Sequence, residues 1–406
     1  MQNIQLKNYN CICSDGAVVA GYAIFVAYLH DFLQMKYYLI SGEASGDVHG
    51  ANLMKSLKKL DAEADFRFWG GDRMQNEGGV LVKHYRDLAF MGFVEVLLNL
   101  STVLRNIAFC KDDLLRYQPD VLVLIDYPGF NLRIAEFAHQ HGIKVAYYIS
   151  PQIWAWKKNR VFTIKKYVDK MLVILPFETE FYERYDFKVH FVGHPLLDAI
   201  HNEPIIDKET FFTKHGLSDQ PVIALLPGSR KQEVNKMLSE MLRVIPFYPD
   251  HQFVIAGVDT LPGEVYNSFA DGKKVKVVFN DTHNLLRAAE AALVTSGTAT
   301  LETALLGVPE VVCYKGNPVS YQIARRIVDV KYISLVNLIM DREVVKELIQ
   351  GDLNTKNLKQ ELDLLFFDTA YRAKLKADYT ELVGKLGSLG ASDRAAHLIT
   401  EMELTN

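Results

Sequence analysis

The sequence predicts an α/β chain of two domains, each on its own open parallel sheet, with a cleft between the carboxyl ends of their strands. Three observations lead there. Short β-rich runs end in small or turn residues and pass directly into helical patterns. The runs are almost wholly apolar, as strands buried on both faces are. The series occurs twice, separated by a polar stretch from about His201 to Gln220. With 406 residues, 49% of them hydrophobic, the chain can fill two cores.

The first series opens with Tyr37–Ile40, which leads through Ser41-Gly42-Glu43-Ala44-Ser45-Gly46-Asp47 into a helix carrying Leu53, Leu57 and Leu60. Val121–Ile125 stops at Asp126-Tyr127-Pro128-Gly129, where another helix begins. Val145–Ile149 precedes Ser150-Pro151, and Met171–Leu175 precedes Pro176. After Phe191-Val192-Gly193-His194-Pro195 the second series starts. Val222–Leu226 meets Pro227-Gly228-Ser229-Arg230, Phe253–Ala256 meets Gly257, and Val277–Phe279 meets Asn280-Asp281. Ala292–Val294 meets Thr295-Ser296-Gly297-Thr298, and Val311–Tyr314 follows a Gly-Val-Pro turn. The last third reads as mostly helical, with helices over Arg342–Gln350 and from about Ala370 to Leu386. The expected divisions are a leader at 1–35, domains at 36–198 and 199–365, and a helical region at 366–406.

Composition removes several function classes. A formal net charge of −4 gives no support to a general nucleic-acid binder. Cys11, Cys13, Cys110 and Cys313 lack a zinc-ligand cadence and fit a reducing compartment. The apolar stretch Gly16–Leu29 is too short for a membrane span and has neither the basic start nor the cleavage site of a signal peptide. The leader reads as a misassigned translation start, a membrane-contacting helix or an added packed element.

The chemistry is expected at the turns. In Leu226-Pro227-Gly228-Ser229-Arg230, Gly228 permits close backbone approach, the next helix directs unpaired N–H groups outward, and Arg230 adds a charged fork for phosphate. Ser296-Gly297-Thr298-Ala299-Thr300 offers a second such terminus, with hydroxyls at Ser296, Thr298 and Thr300. Glu302, on the same helix, suits a sugar hydroxyl better than a phosphate. Both turns also read as ordinary capped helix starts. Neither carries a Walker lysine or a full G-x-G-x-x-G, which leaves ATP hydrolysis and hydride transfer weakly supported.

In the first domain Asp126 closes an apolar strand, where a carboxylate serves either as general base for a sugar hydroxyl or as a turn cap. Glu43 and Asp47 lie on the first strand-to-helix loop and are candidates to position an acceptor. Ile153-Trp154-Ala155-Trp156-Lys157-Lys158-Asn159-Arg160 mixes large rings with basic charge, as an anionic lipid interface does; a packed Trp pair is the alternative. The apolar run Leu88–Leu98, which includes Met91 and Phe93, suits acyl chains or, somewhat better, a packed helix. Together these features point to a transferase acting on a nucleotide-activated sugar.

The combination resembles the lipid-A-disaccharide synthase family of GT-B glycosyltransferases. The resemblance rests on Ser41–Asp47, Met91-Gly92-Phe93-Val94-Glu95-Val96-Leu97, Ile125-Asp126-Tyr127-Pro128-Gly129-Phe130-Asn131 and Ser150-Pro151-Gln152-Ile153-Trp154-Ala155-Trp156. It continues through Leu175-Pro176-Phe177-Glu178, Phe191–Pro195, Leu226–Arg230 and Ser296-Gly297-Thr298-Ala299-Thr300-Leu301-Glu302, from about Lys36 to near the C-terminus.

The resemblance implies two Rossmann-like domains in a GT-B arrangement with an interdomain cleft. It implies an inverting transfer from UDP-2,3-diacylglucosamine to 2,3-diacylglucosamine 1-phosphate, with no catalytic metal and no cofactor, the UDP-sugar being a substrate. On this chain it implies that Asp126 is the base, with Glu43, Asp47 and Asn131 in catalytic support or on the acceptor side. Arg230 falls on the UDP phosphates; Ser296, Gly297, Thr298, Thr300, Glu302 and Asn337 fall on the donor side. Met91, Phe93, Trp154 and Trp156 fall on the acceptor or membrane side. Val336 stands where the family has Pro, and the leader departs from the family's usual start. The resemblance further implies a peripheral enzyme on the cytoplasmic face of the bacterial inner membrane, and an exchanged homodimer occurs in the family. The sequence also admits a UDP-N-acetylglucosamine 2-epimerase, which would need no acyl surface, and an inactive lipid-binding scaffold, which would release no UDP.

Overall fold

The computed structural model describes residues 34–88, 100–270 and 275–402. All but the last two residues of the leader lie outside the described residues, as does the run 89–99 with Met91 and Phe93. Among the described residues, thirteen strands form two parallel sheets. Two compact units divide the chain within the fifth strand: the described parts of Met1–Ala146 and Ala396–Asn406, and Tyr147–Ala395.

The first sheet contains β1 (Lys36–Ser41), β2 (Asp65–Gly70), β3 (Val80–His84), β4 (Val121–Ile125), β5 (Lys144–Tyr148), β6 (Lys170–Val173) and β7 (His190–Phe191), in the order β3-β2-β1-β4-β5-β6-β7. The order reverses between β1 and β4, so the loops leaving these neighbours part to opposite faces and open a crevice at their carboxyl ends. Their register places Ser41 opposite Ile125, which brings the Gly42-Glu43 and Asp126-Tyr127 turns side by side. Tyr37, Tyr38, Leu39 and Ile40 are fully buried, and the polar tips of this core are answered. The Tyr38 hydroxyl donates to Asp113 at 2.8 Å and accepts from the Trp69 indole at 2.8 Å, while Arg67 pairs with Asp113 at 2.7 Å.

The second sheet contains β8 (Val222–Leu226), β9 (Gln252–Gly257), β10 (Val275–Phe279), β11 (Ala289–Thr295), β12 (Glu310–Tyr314) and β13 (Lys346–Ile349), in the order β10-β9-β8-β11-β12-β13. Its reversal falls between β8 and β11, where Leu226 lies opposite Val294. One face carries Val222, Ala224, Leu226, Val254, Ala256, Ala292 and Val294, the period of two that a strand imposes, against Phe211, Leu285 and Leu286 from helices.

The structure corrects one expectation. Arg342–Gln350 is not a helix: Lys346–Ile349 is strand β13, paired with β12 from Val311↔Lys346 to Tyr314↔Ile349. Lateral pairing supplies the backbone bonds there, and Val345 and Leu348 are buried beneath it. The charged C-terminal helix is present at Thr369–Lys385. No helix among the described residues is long and apolar enough to cross a membrane.

Candidate functional site

Both groups of sequence-selected turns fall on the two reversals in strand order. At the first, Asp126 and Tyr127 both hold left-handed backbone angles, φ 43° and 50°, before Pro128 starts the helix Pro128–Gln140. Such angles cost non-glycine residues roughly 1–3 kcal/mol each, and Asp tolerates them better than Tyr. Their conjunction aims Asp126 at the crevice mouth. Gly42 makes it possible, because a Cβ there would sit 2.4 Å from the Tyr127 ring. The Tyr127 ring in turn stacks on Phe130 at 5.6 Å.

Burial pushes the Asp126 carboxyl up to about 6, the negative charge of Glu43 adds to the shift, and the Tyr127 N–H partly opposes it. A carboxylate so placed holds or takes a proton near neutral pH, the property of a general base or acid. Glu43 itself is exposed, at the N-cap of the helix Ala44–Leu60, and uses no side-chain bond to cap it.

Asp47 and Asn131 are committed to the protein. The buried Asp47 carboxylate accepts from the N–H groups of Gly71 (2.7 Å), Met74 (3.1 Å) and Arg73 (3.1 Å), tying the next helix start to the loop. Asn131 is fully buried. Its amide donates to the Asp126 carbonyl at 2.7 Å and lies 3.3 Å from that of Ile125, so it holds the strained end of β4. Its Oδ1 has no hydrogen-bond partner among the described residues.

At the second reversal the turns after β8 and β11 differ from their sequence reading in detail. Arg230 is exposed and meets no carboxylate among the described residues; it is the N-cap of Lys231–Met241 and gives that terminus no side-chain bond. Gly228 has φ 98°, but its open side is filled: a Cβ there would lie 2.1 Å from the Glu233 carboxylate. The expectation of close ligand approach at Gly228 is therefore corrected, and the glycine serves the turn and Glu233. At Gly297, φ 153°, a Cβ would meet nothing within 4 Å, and the helix Thr298–Leu305 begins with no side-chain cap. Open space and a helix start without a side-chain cap coincide there, a setting that suits an anion.

Around that terminus Thr298 is exposed, whereas the Ser296 hydroxyl donates to the Ile333 carbonyl at 2.7 Å. Thr300 is buried and donates to the Gly297 carbonyl at 2.8 Å, so it braces the turn from within. Asn337 is likewise spent: its amide donates to Val345 O and Glu347 (both 2.9 Å) and accepts from Val344 N–H (2.7 Å) and Val345 N–H (3.0 Å). With both faces of the amide satisfied, Asn337 braces the segment leading into β13 and has no bonds to spare for a ligand. Val336 is buried at the second position of a helix capped by Ser334, a position that needs no proline.

Glu302 points into a cluster that sequence reasoning missed. His283 reaches Glu302 at 3.9 Å through Nε2 and hydrogen-bonds Glu203 through Nδ1. Glu203 stands 80 residues away, so no local pattern announces the contact.

The Trp pair separates. Trp154 is buried, packs edge-on against Phe177 at 4.9 Å, and donates its indole N–H to Glu178 at 3.2 Å. The expectation of an acceptor- or membrane-facing Trp154 is corrected, because its indole is consumed in the core. Trp156 is 42% exposed, with Lys157 at 4.3 Å and Arg160 at 5.9 Å from its ring.

Comparison with known proteins agrees with this layout. The family model described as lipid-A-disaccharide synthetase matches residues 37–402. A lipid-A-disaccharide synthase from Geobacter sulfurreducens is 38% identical, covering 90% of this chain and 96% of its own length. One from Syntrophus aciditrophicus is 39% identical, covering 88% and 95%. Among solved structures, a UDP-GlcNAc 2-epimerase from Neisseria meningitidis bound to UDP-GlcNAc has a TM-score of 0.57 at 14% identity, covering 92% of this chain and 100% of that one. At that identity the likeness is one of fold.

Proposed function

The chain belongs to the lipid-A-disaccharide synthetase family and is a glycosyltransferase enzyme of lipid A biosynthesis, and we propose that it performs an inverting transfer from UDP-2,3-diacylglucosamine to 2,3-diacylglucosamine 1-phosphate. In this reading the two sheets are the acceptor and donor halves of a GT-B enzyme. The acceptor's 6-hydroxyl loses its proton to Asp126 while its oxygen attacks the donor's anomeric carbon. The bond from that carbon to the UDP oxygen breaks in the same displacement. UDP leaves, and the product is the β-1,6-linked disaccharide 1-phosphate.

The observation that supports this most is Asp126: a carboxylate at the β1/β4 reversal, raised to about 6 by desolvation and by the charge of Glu43. A base works best when its pKa lies near the working pH. Asn131, through the Asp126 carbonyl, and Asp47, through the neighbouring helix start, act as positioning residues. On the donor side Arg230 and the open Gly297-Thr298 terminus take the diphosphate, and Glu302 takes a hydroxyl of the nucleotide or its sugar. The displacement calls for no metal and no cofactor. The proposal places the enzyme on the cytoplasmic face of the inner membrane, where exposed Trp156 with Lys157 and Arg160 suits an anionic surface.

The test is UDP release by the purified chain. Release is expected only when both lipid substrates are present. Release with donor alone, or none with both from folded protein, would refute the reading. The epimerase alternative has the shared fold in its favour and nothing beyond it.

A further inference from the structure

We propose that His283 is a positioning residue of the donor site: anchored by Glu203, its imidazolium keeps Glu302 ionised and turned to accept hydrogen bonds from hydroxyls of the nucleotide sugar. The inference rests on the donor-side reading of Glu302 and names the group that makes that reading workable.

The argument is geometric first. His283 lies on the helix Thr282–Ala288 and Glu302 on Thr298–Leu305, the helix whose open terminus is the candidate diphosphate site. Glu203 hydrogen-bonds Nδ1 and Glu302 lies 3.9 Å from Nε2, so the ring stands between two carboxylates, at ion-pair distance from the second. Glu203 is itself fixed. Arg287, one turn beyond His283, approaches it at 3.7 Å and donates to the Ile200 carbonyl at 3.3 Å and to Asn284 at 3.2 Å. Asn284 donates onward to Asp281 at 2.8 Å. The ring is thus held by a chain of polar contacts that ends at the buried Asp281, which pairs with the exposed Lys214 and with His215. Among the described residues no group of three His, Cys, Asp or Glu is arranged to hold a metal.

Electrostatics states why the cation is needed. Burial raises the Glu302 carboxyl above its ordinary value, His283 opposes the rise, and Glu203 adds to it. A protonated Glu302 would lose half its capacity to accept from a diol. On β12, which packs against the Glu302 helix, burial pushes the Glu310 carboxyl well above its ordinary value, and His215 on the helix Lys208–His215 pairs with Asp281. Asp198, on the helix Pro195–Asn202, accepts from Gly390 and Ala391 N–H groups. On the C-terminal helix Thr369–Lys385, Asp378 and Glu381 pair with Arg342. His201 is the remaining titratable side chain on Pro195–Asn202. The helix Leu335–Met340 carries no ionisable side chain.

The experiment measures binding of UDP-2,3-diacylglucosamine to the full chain without acceptor, so that no turnover occurs, across about pH 5 to 9. Wild-type affinity is expected to fall on the acid side as Glu302 takes a proton. His283→Gln should move that fall upward by about one pH unit, a loss of up to about tenfold near the original midpoint. His283→Lys, which restores a cation, should move it back toward the wild-type position. Glu302→Gln should weaken binding and abolish that limb. A His283→Gln loss that is uniform with pH, or no loss, overturns the inference while leaving Glu302's contact intact. Undiminished affinity in Glu302→Gln overturns the donor-side reading and the inference with it. Should His283→Gln fail to fold, His283→Lys against wild type still decides: a limb shifted upward despite the retained cation contradicts the proposal.

Discussion

The two reversals in strand order solve opposite electrostatic problems with the same topology. At β1/β4 the crevice is acidic: Glu43 and Asp126 lie at adjacent strand ends, and the backbone is forced left-handed at two non-glycine residues to aim one carboxylate. At β8/β11 the crevice offers donors: an exposed Arg230, an uncapped helix start at Thr298, and a glycine with open space beside it. The first arrangement carries a stored cost in burial and strain, which suits a group that must exchange a proton. The second leaves two helix starts without side-chain caps and so suits a ligand that arrives with its own negative charge. Fold alone does not distinguish the two ends; the side chains do.

If that division of labour is right, Asp126→Asn should lower turnover on the order of 10²- to 10⁴-fold while donor affinity stays within about twofold. Steady-state rates beside equilibrium donor binding check it, and a comparable loss in both would break the contrast. Arg230→Ala should do the reverse, weakening donor binding by about 10- to 100-fold with a smaller change in turnover once the donor is saturating. Stability separates the two ends again. Because the folded Asp126 carboxyl titrates near 6 rather than at its ordinary value, folding loses stability as pH rises between those values. Asp126→Asn should therefore stabilise the protein modestly at neutral pH, with the gain disappearing below about pH 4. Urea titrations at two pH values read it. The smallest effect belongs to Glu43. Removing its charge in Glu43→Gln should lower the acid limb of turnover from about 6 by a fraction of a unit. An upward shift would contradict the assigned cause.

Much of this architecture was legible because central parallel strands are apolar runs that end in turn residues. Tyr37–Ile40, Val121–Ile125 and Val222–Leu226 stand in the sequence with nearly their final bounds. The peripheral strands were not: β2 (Asp-Phe-Arg-Phe-Trp-Gly) and β3 (Val-Leu-Val-Lys-His) mix charge with aromatic residues, and β13 was read as helix because edge pairing leaves no local mark. The switch-point turns were legible as positions, since Asp, Gly and Arg at a strand end are uncommon enough to notice. What each side chain does there was less so. Thr300 and Asn337 carry the right chemistry but spend it on neighbours, and Trp154 is consumed by Glu178. His283 and Glu203 escaped because their meeting depends on tertiary structure alone.

Mass spectrometry of the product from a donor and an acceptor carrying acyl chains of different mass is the decisive measurement for the proposed joining of two acylated glucosamine units. One species that contains both acyl sets and a single phosphate is expected, formed in step with UDP. A nucleotide-sugar isomer of unchanged mass, or donor hydrolysis without the joined product, would contradict it.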